Sequence, residues 1–548
     1  MHARRILVTP RNQRQARRTG GHYHAGGRTI MKAKRGIAAA LAGALLLTGL
    51  AGCGSKDSAG SGSGETDAGQ IVNQAADNVK AVDSFTLAYN ENDGFDPLSC
   101  TSSENQLIAQ LCFESLFALD DNFQPQKVLC DSLEQTGSRA YTLKLRSGAK
   151  FHSGQEVTPA DVVFSLNNAR LREDSIYQDQ LSCISSVKYS GDEVHIRLYR
   201  ENSNLAALLD VPILRKGTDE DECPDGSGPY QLVTSDGKKC LIPFEQRTGG
   251  KVGFCESITL VSVSDATGAA NLLSSGELSM LMQTDAEQSP AQGGKYTASV
   301  PTTRLHYLGV NCDMEPYDNE DVRTALSLLL DRESIVQTCF AGRADAASLP
   351  IVPVPDDVDA PEYNKEKALE LLEDADIYDR NDDGFLDISR SRQFKVEIIY
   401  NEKYSTKGAV LQQYAETLTE AGILTEVKPL TFEECQSKLR NESFQLYYGE
   451  YTMTADFDLS SLISSNGERN FSGYYDSDME DAINGLASYE EGEEEDARKE
   501  YAECFAEQTP LIPIAFERTL ISSASELPKQ FEPWPDQIFH GIETWSAS

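Results

Sequence analysis

A chain of 548 residues with 40% hydrophobic and 25% charged residues has globular composition and length for several domains. The formal charge is −37, yet the first 52 residues hold ten Lys/Arg and no acid, leaving 39 bases against 86 acids in the rest. Collagen-like, coiled-coil and wholly disordered classes are excluded, and so acidic a body argues against nucleic acid and against broad adhesion to an anionic membrane.

The N-terminal region reads as address and tether. Residues 1–30 carry seven arginines and no apolar run, as an overextended start before Met31 would, with a long signal n-region the alternative. Residues 31–52 form a signal peptide: Lys32, Lys34 and Arg35 precede an apolar stretch from Ile37 to Leu50, too short to span a bilayer. Leu50-Ala51-Gly52-Cys53 resembles the lipobox of bacterial lipoproteins, which implies cleavage before Cys53 and a lipid on its sulfur. Residues 53–80 then give the anchor and a Gly/Ser-rich linker. With Cys53 used for lipid, eleven cysteines remain, none in C-x-x-C spacing, and mostly buried thiols are expected.

Strands and helices alternate after Phe85. Phe85 to Tyr89 alternates as a strand, and Glu104 to Phe117 carries a helical apolar stripe. Tyr141 to Arg146 and Val194 to Tyr199 alternate again, the latter placing His195 toward solvent. Thr158-Pro159-Ala160-Asp161 is a helix start with a capping-box pairing. Tyr317 to Val322 gives a second cap-and-staple start. Phe394 to Tyr400, a helix through Val410 and Leu418, a stop at Gly422 and a strand from Ile423 to Val427 predict a βαβ unit with parallel strands.

No catalytic or metal constellation emerges. There is no G-x-S-x-G elbow, Walker A sequence or H-E-x-x-H helix, and the four histidines after Cys53 lack ligand spacing. Neither cofactor nor resident metal is expected. Asp379 to Asp387 resembles an EF-hand loop, but Arg390 stands where a bidentate Glu is needed, so a polar turn with Gly384 at positive φ is the reading.

Five segments, in order, resemble the family 5 extracellular solute-binding proteins, the peptide, dipeptide and nickel receptors of ABC importers. They are Leu143 to Gly154, Glu156 to Leu166, Pro224 to Tyr230, Asp321 to Arg332, and Thr509 to Ile514. The resemblance implies an α/β, two-lobed periplasmic-binding-protein-like fold (type II, large peptide-binding subclass) with a hinge. Lobe I would span 85–304, completed by 513–548, and lobe II 305–512. The crossings near 306–311 and 510–516 would form the hinge. Ala455-Asp456-Phe457 is similar to the A-D-Y segment of peptide-binding members, which makes Asp456 the expected partner of a ligand amine. Tyr447, Tyr448, Tyr451 and Phe457 are the expected pocket aromatics, although the family's tryptophan is absent and Leu459 replaces its proline. The expectation is a monomeric, lipid-anchored, extracytoplasmic receptor that performs no covalent chemistry. It would deliver a small solute, foremost a peptide, to permease and ATPase subunits. A surface-anchored hydrolase or a ligand sensor of the same fold is the alternative.

Overall fold

The computed structural model describes residues 84–247, 252 and 254–545. The signal segment, Cys53 and the linker lie outside them. β1 (Phe85–Asn90) leads by a loop into α1 (Ser103–Cys112), whose buried Leu107, Ile108 and Leu111 face the core. The helix stops short of the stripe's end because tertiary pairing competes with it. Phe113 is extended, the Glu114 carbonyl accepts the Ile213 amide, and the Phe117 amide donates to Leu209. The hairpin β2 (Phe117–Leu119) and β3 (Pro125–Lys127) follows.

Next come β4 (Cys130–Gly137) and β5 (Ala140–Leu145), α2 (Pro159–Leu171), then β6 (Ile184–Ser190) and β7 (Glu193–Leu198). They form an antiparallel sheet in the order β4-β5-β7-β6. The Thr158–Asp161 capping box opens α2, and the His195 side chain is 41% exposed. β8 (Tyr230–Ser235), β9 (Lys238–Pro243) and β10 (Ile258–Val263) join β1 in a second sheet, with β1 and β10 parallel. The Gly226-Ser-Gly228 segment lies against the end of α1. A Cβ on Gly228 would sit 2.5 Å from the Cys112 carbonyl carbon and from the Leu111 oxygen, so only glycine fits.

α3 (Ala266–Ser275), β11 (Met280–Gln283) and the 15-residue β12 (Tyr296–Val310) come next. α4 (Glu320–Leu328), α5 (Arg332–Cys339), β13 (Ala344–Ala346), α6 (Lys365–Asp374), β14 (Asp387–Ser389) and β15 (Arg392–Gln393) follow. The cap of α4 is Asn319, two residues after Tyr317, its side chain accepting the Asp321 amide. Buried Arg323 donates to the carbonyls of Gln508, Thr509 and Tyr317, while buried Arg332 holds those of Ala347 and Pro513. The family-like helix motif therefore serves as internal bracing.

β16 (Lys395–Asn401), α7 (Ser405–Glu420) and β17 (Leu424–Leu430) make the expected βαβ unit with a parallel strand pair. α8 (Phe432–Arg440), β18 (Leu446–Thr452), α9 (Ser460–Ile463), α10 (Ser477–Ala487), α11 (Glu494–Gln508) and β19 (Leu511–Ser523) complete the order. A seven-stranded sheet runs β11-β19-β12-β18-β16-β17, with β13 also on β19.

The two-lobed α/β arrangement follows from how the cores divide. One core draws on residues from Phe85 to Val300 and again on Ile521, Ile538, Phe539, Ile542 and Trp545. A second draws on Leu308 through Tyr448 and on Ile512, Ile514 and Ala515. β12 and β19 run side by side through both. Their pairing breaks between Pro301 and Leu305 and again between His306 and Tyr307. A third core joins Leu119, Phe123 and Ala207 to Leu305, Phe457 and Phe516.

All eleven cysteines of the described residues are free thiols; five are buried and the other six half-buried, fewer than the expected majority. The 379–387 loop is a polar turn. The Asp379 carboxylate accepts the amides of Asn381, Asp383 and Gly384, and Gly384 has φ 87°.

Candidate functional site

A cavity of about 580 Å³ opens where the two cores meet, within the size range of small-ligand sites. The broken pairing of β12 builds its floor. Released from β19, Thr302 donates its hydroxyl to the Glu517 carbonyl at 2.6 Å, and Thr303 donates to that of Met453 at 2.6 Å. The extra residues of such a bulge re-aim side chains, and here Thr302, Thr303 and Arg304 line the cavity. The end of β18 continues that wall with Thr452, Met453, Thr454 and Ala455. The opposite wall comes from α1 and its exit (Gln106, Gln110, Phe113), from Tyr177 and Asp210, and from the Pro535–Ile538 turn.

A side chamber of about 330 Å³ shares Thr284, Arg304 and Thr452 with this cavity. Buried Glu517 organises it. Its carboxylate accepts the Ala286 amide at 2.6 Å, lies 3.4 Å from the Arg304 guanidinium and 3.2 Å from His306 Nε2. His306 reaches the Tyr448 hydroxyl through Nδ1 at 3.0 Å. Lys407, nearly buried, meets Glu450 at 2.8 Å. Burial alone would raise the Glu450 carboxyl, but Lys407, with His306 and Arg304, holds it below its ordinary value.

The expected ligand residues are placed differently from the cavity wall. Asp456 accepts from Asn202 Nδ2 at 2.8 Å and from the Thr454 hydroxyl. It lines, with Arg200, Asp458 and Tyr501, a separate space of only about 10 Å³. Burial raises its carboxyl, with Thr454 and Asn202 opposing and Asp458 adding to the rise. Phe457 is buried at φ 55°, edge-on to Phe123 at 5.6 Å. Tyr447 is a core residue whose hydroxyl meets that of Tyr307 at 3.3 Å across Gly309. Tyr448 is spent on His306, and Tyr451 is half-buried with Arg469 over its ring at 5.3 Å. None of the five lines the larger cavity, though their neighbours Thr452 to Ala455 do.

Around Asp456 the 200–204 segment docks on residues 456–489. Arg200 pairs with Asp458, Ser203 bonds the Ala487 and Tyr489 carbonyls, and Asn204 bonds the Leu486 carbonyl and the Tyr489 hydroxyl.

Arg304, Asp210 and Asp536 escaped the sequence reading. An acid inside the apolar run Leu205 to Leu214 was one available signal for Asp210. The Trp534-Pro535-Asp536 turn gave another.

Comparison with known proteins places this geometry. Residues 124–473 match the family model of bacterial extracellular solute-binding proteins, family 5 middle. The chain is 25% identical over 481 residues to the glutathione-binding protein GsiB of Pectobacterium atrosepticum, covering 81% of this chain and 90% of that one. It is 27% identical over 365 residues to the oligopeptide-binding protein AppA of Bacillus subtilis, covering 61% and 66%. The fold is similar to that of the nickel ABC transporter structure from Bacillus halodurans. The TM-score is 0.70 at 20% identity, covering 85% of this chain and 99% of that one.

Proposed function

The chain belongs to the family 5 bacterial extracellular solute-binding proteins, and from that premise we propose that it is the receptor subunit of an ABC importer, capturing a peptide between two lobes and performing no covalent chemistry. The observation that carries this reading is the cavity of about 580 Å³, which sits where the two cores meet and is floored by the strands that run through both. The named relatives that bind glutathione and oligopeptides favour a peptide over a metal.

Lobe I is assigned to 85–304 with 513–548, and lobe II to 305–512. The division of the two cores supports that split except at its edge on β19, where Ile514 and Ala515 pack in the second core. The hinge falls at Pro301 to Tyr307 on β12 and at the facing Pro513 to Arg518 on β19, where strand pairing is irregular. Asp456 belongs to closure in this reading: Asn202, from the other lobe, occupies the position a ligand amine would need. Thr452 to Ala455 form the ligand-facing part of that segment. The receptor acts as a monomer outside the cytoplasm, held by lipid on Cys53, and passes its solute to permease and ATPase subunits.

Native mass spectrometry of the purified receptor, followed by calorimetry with the peptide it releases, tests the assignment. A single peptide bound per chain is the expected result. A co-purified sugar or metal complex that competes with every peptide tried would overturn it.

A further inference from the structure

The cavity has a charge as well as a shape. Glu114, Asp179, Asp210 and Asp536 line it, and Arg304 is its only lining cation among the described residues. Two of these charges are already matched. Arg247 lies 3.1 Å from Glu114, and Arg304 faces both Glu517 and Glu450. No ion pair among the described residues reaches Asp179, Asp210 or Asp536.

Asp210 and Asp536 are firmly placed. Gln180 donates to Asp210 and, at 3.0 Å, to the Leu208 carbonyl. The flanking backbone is pinned by Phe117 on Leu209 and by Ile213 on Glu114. Asp536 sits at φ 51° in a turn closed by reciprocal backbone bonds between Trp534 and Gln537 at 3.2 and 3.0 Å. The next amide, Ile538, is held by Gln110 at 2.8 Å. That left-handed conformation is uncommon outside glycine, and here it carries a carboxylate to the cavity wall.

Burial first, and then the Asp536 charge, push the Asp210 carboxyl up to about 7, while Gln180 and its own backbone amide pull the other way. Desolvation raises Asp536 as well. Asp210 is half-buried and Asp536 open to the cavity, so the cost that a nearby cation removes is the repulsion between two like charges on one wall.

We infer that this cleft selects an organic cation, a ligand whose primary ammonium or guanidinium group is held by Asp210 and Asp536. The inference rests on the receptor reading and sharpens it. For a peptide, the cation is either the chain's own amino terminus or a basic side chain.

Calorimetry on the full chain, on Asp536→Asn and on Asp210→Asn separates the possibilities. The probes are Ala-Ala-Ala, Ala-Lys-Ala, their N-acetylated forms, and spermidine; a single cooperative melting transition confirms that each variant folds. Ionic hydrogen bonds of this kind are worth about tenfold or more in affinity. A tenfold preference for Ala-Lys-Ala that survives acetylation identifies a side-chain cation. Equal binding of the two free tripeptides, lost on acetylation, identifies the amino terminus. In either case both variants should lose the discrimination. If N-acetyl-Ala-Ala-Ala binds as tightly as Ala-Lys-Ala and the variants change nothing, the cation inference is overturned and the receptor reading stands. Spermidine binding that both variants weaken, with no peptide bound, would overturn the peptide reading and keep the cation. Failure of every probe would overturn both.

Discussion

Asp210 couples the cavity to pH in a direction that can be worked out. Its folded value of about 7 lies above the ordinary 3.8, so between those values the folded protein holds a proton that the unfolded chain releases. Stability from this group is therefore present at the acidic end and lost as pH rises from about 4 to about 7. The Asp536 carboxyl is raised in the same direction, but its exposure to solvent keeps its share small. Denaturant titrations across that range should show Asp210→Asn with a flatter pH dependence than the parent and with greater relative stability at neutral pH. A parallel pair of profiles would mean that Asp210 ionises freely. Asp456 is a second test at this scale. If it serves closure through Asn202, Asp456→Asn should lower ligand affinity by about 1 kcal/mol, the worth of one hydrogen bond. Asn202→Ala should do the same, with little extra loss in the double variant. A deficit of about 3–5 kcal/mol in calorimetry would instead indicate a broken pair with the ligand's charge.

Among the elements, the contact between α1 and the Gly226–Tyr230 segment is the least forgiving. Both glycines press on backbone that cannot turn aside, and the Gly228 amide donates to Cys112 at 2.9 Å. Gly228→Ala should lower the unfolding free energy by about 1–3 kcal/mol or more through overpacking, measurable by urea titration, whereas Gly191→Ala, in open space at φ 64°, should cost only backbone strain. Constraints local in the sequence, unlike that one, explain what the sequence revealed. The Thr158–Asp161 cap, the parallel βαβ unit and the turn at Gly384 depend on neighbours in the chain, and they stand where the residue pattern puts them. The early stop of α1 does not, because Ile213 and Leu209, about a hundred residues away, claim its exit backbone. The site was hidden for the same reason. Asp210, Arg304 and Asp536 come from three distant segments and share one cavity only in the fold. The aromatic cluster at Tyr447 and Tyr448 carried no mark to tell a core wall from a cavity wall.

At the scale of the molecule, charge and the proposed tether would act together. If Cys53 carries lipid as proposed, the Gly/Ser-rich sequence after it would space an acidic body from an anionic membrane surface. Cys53→Ala should leave the protein in the soluble fraction or as an uncleaved precursor on cell fractionation; a processed variant that stays with the membrane would remove lipid as the anchor. In the proposed receptor lobe closure is the larger motion, and the third core, where Phe123 meets Phe457 edge-on at 5.6 Å, is joined by a polar latch. Arg200 with Asp458 is an exposed pair, its arginine 53% exposed, and is worth about 0–1 kcal/mol. Asn202, Ser203 and Asn204 add hydrogen bonds of about 1 kcal/mol each. Polar contacts this weak would suit a receptor that opens again, because a ligand needs only a few kcal/mol of differential binding to shift the balance. Arg200→Glu combined with Asn202→Ala should therefore open the ligand-free ensemble, seen as a larger radius of gyration in small-angle scattering. Saturating ligand should still compact it, at an affinity lowered about tenfold or more. Identical scattering profiles for parent and variant, with and without ligand at proven saturation, would show that the lobes do not move about the Pro301–Tyr307 crossing.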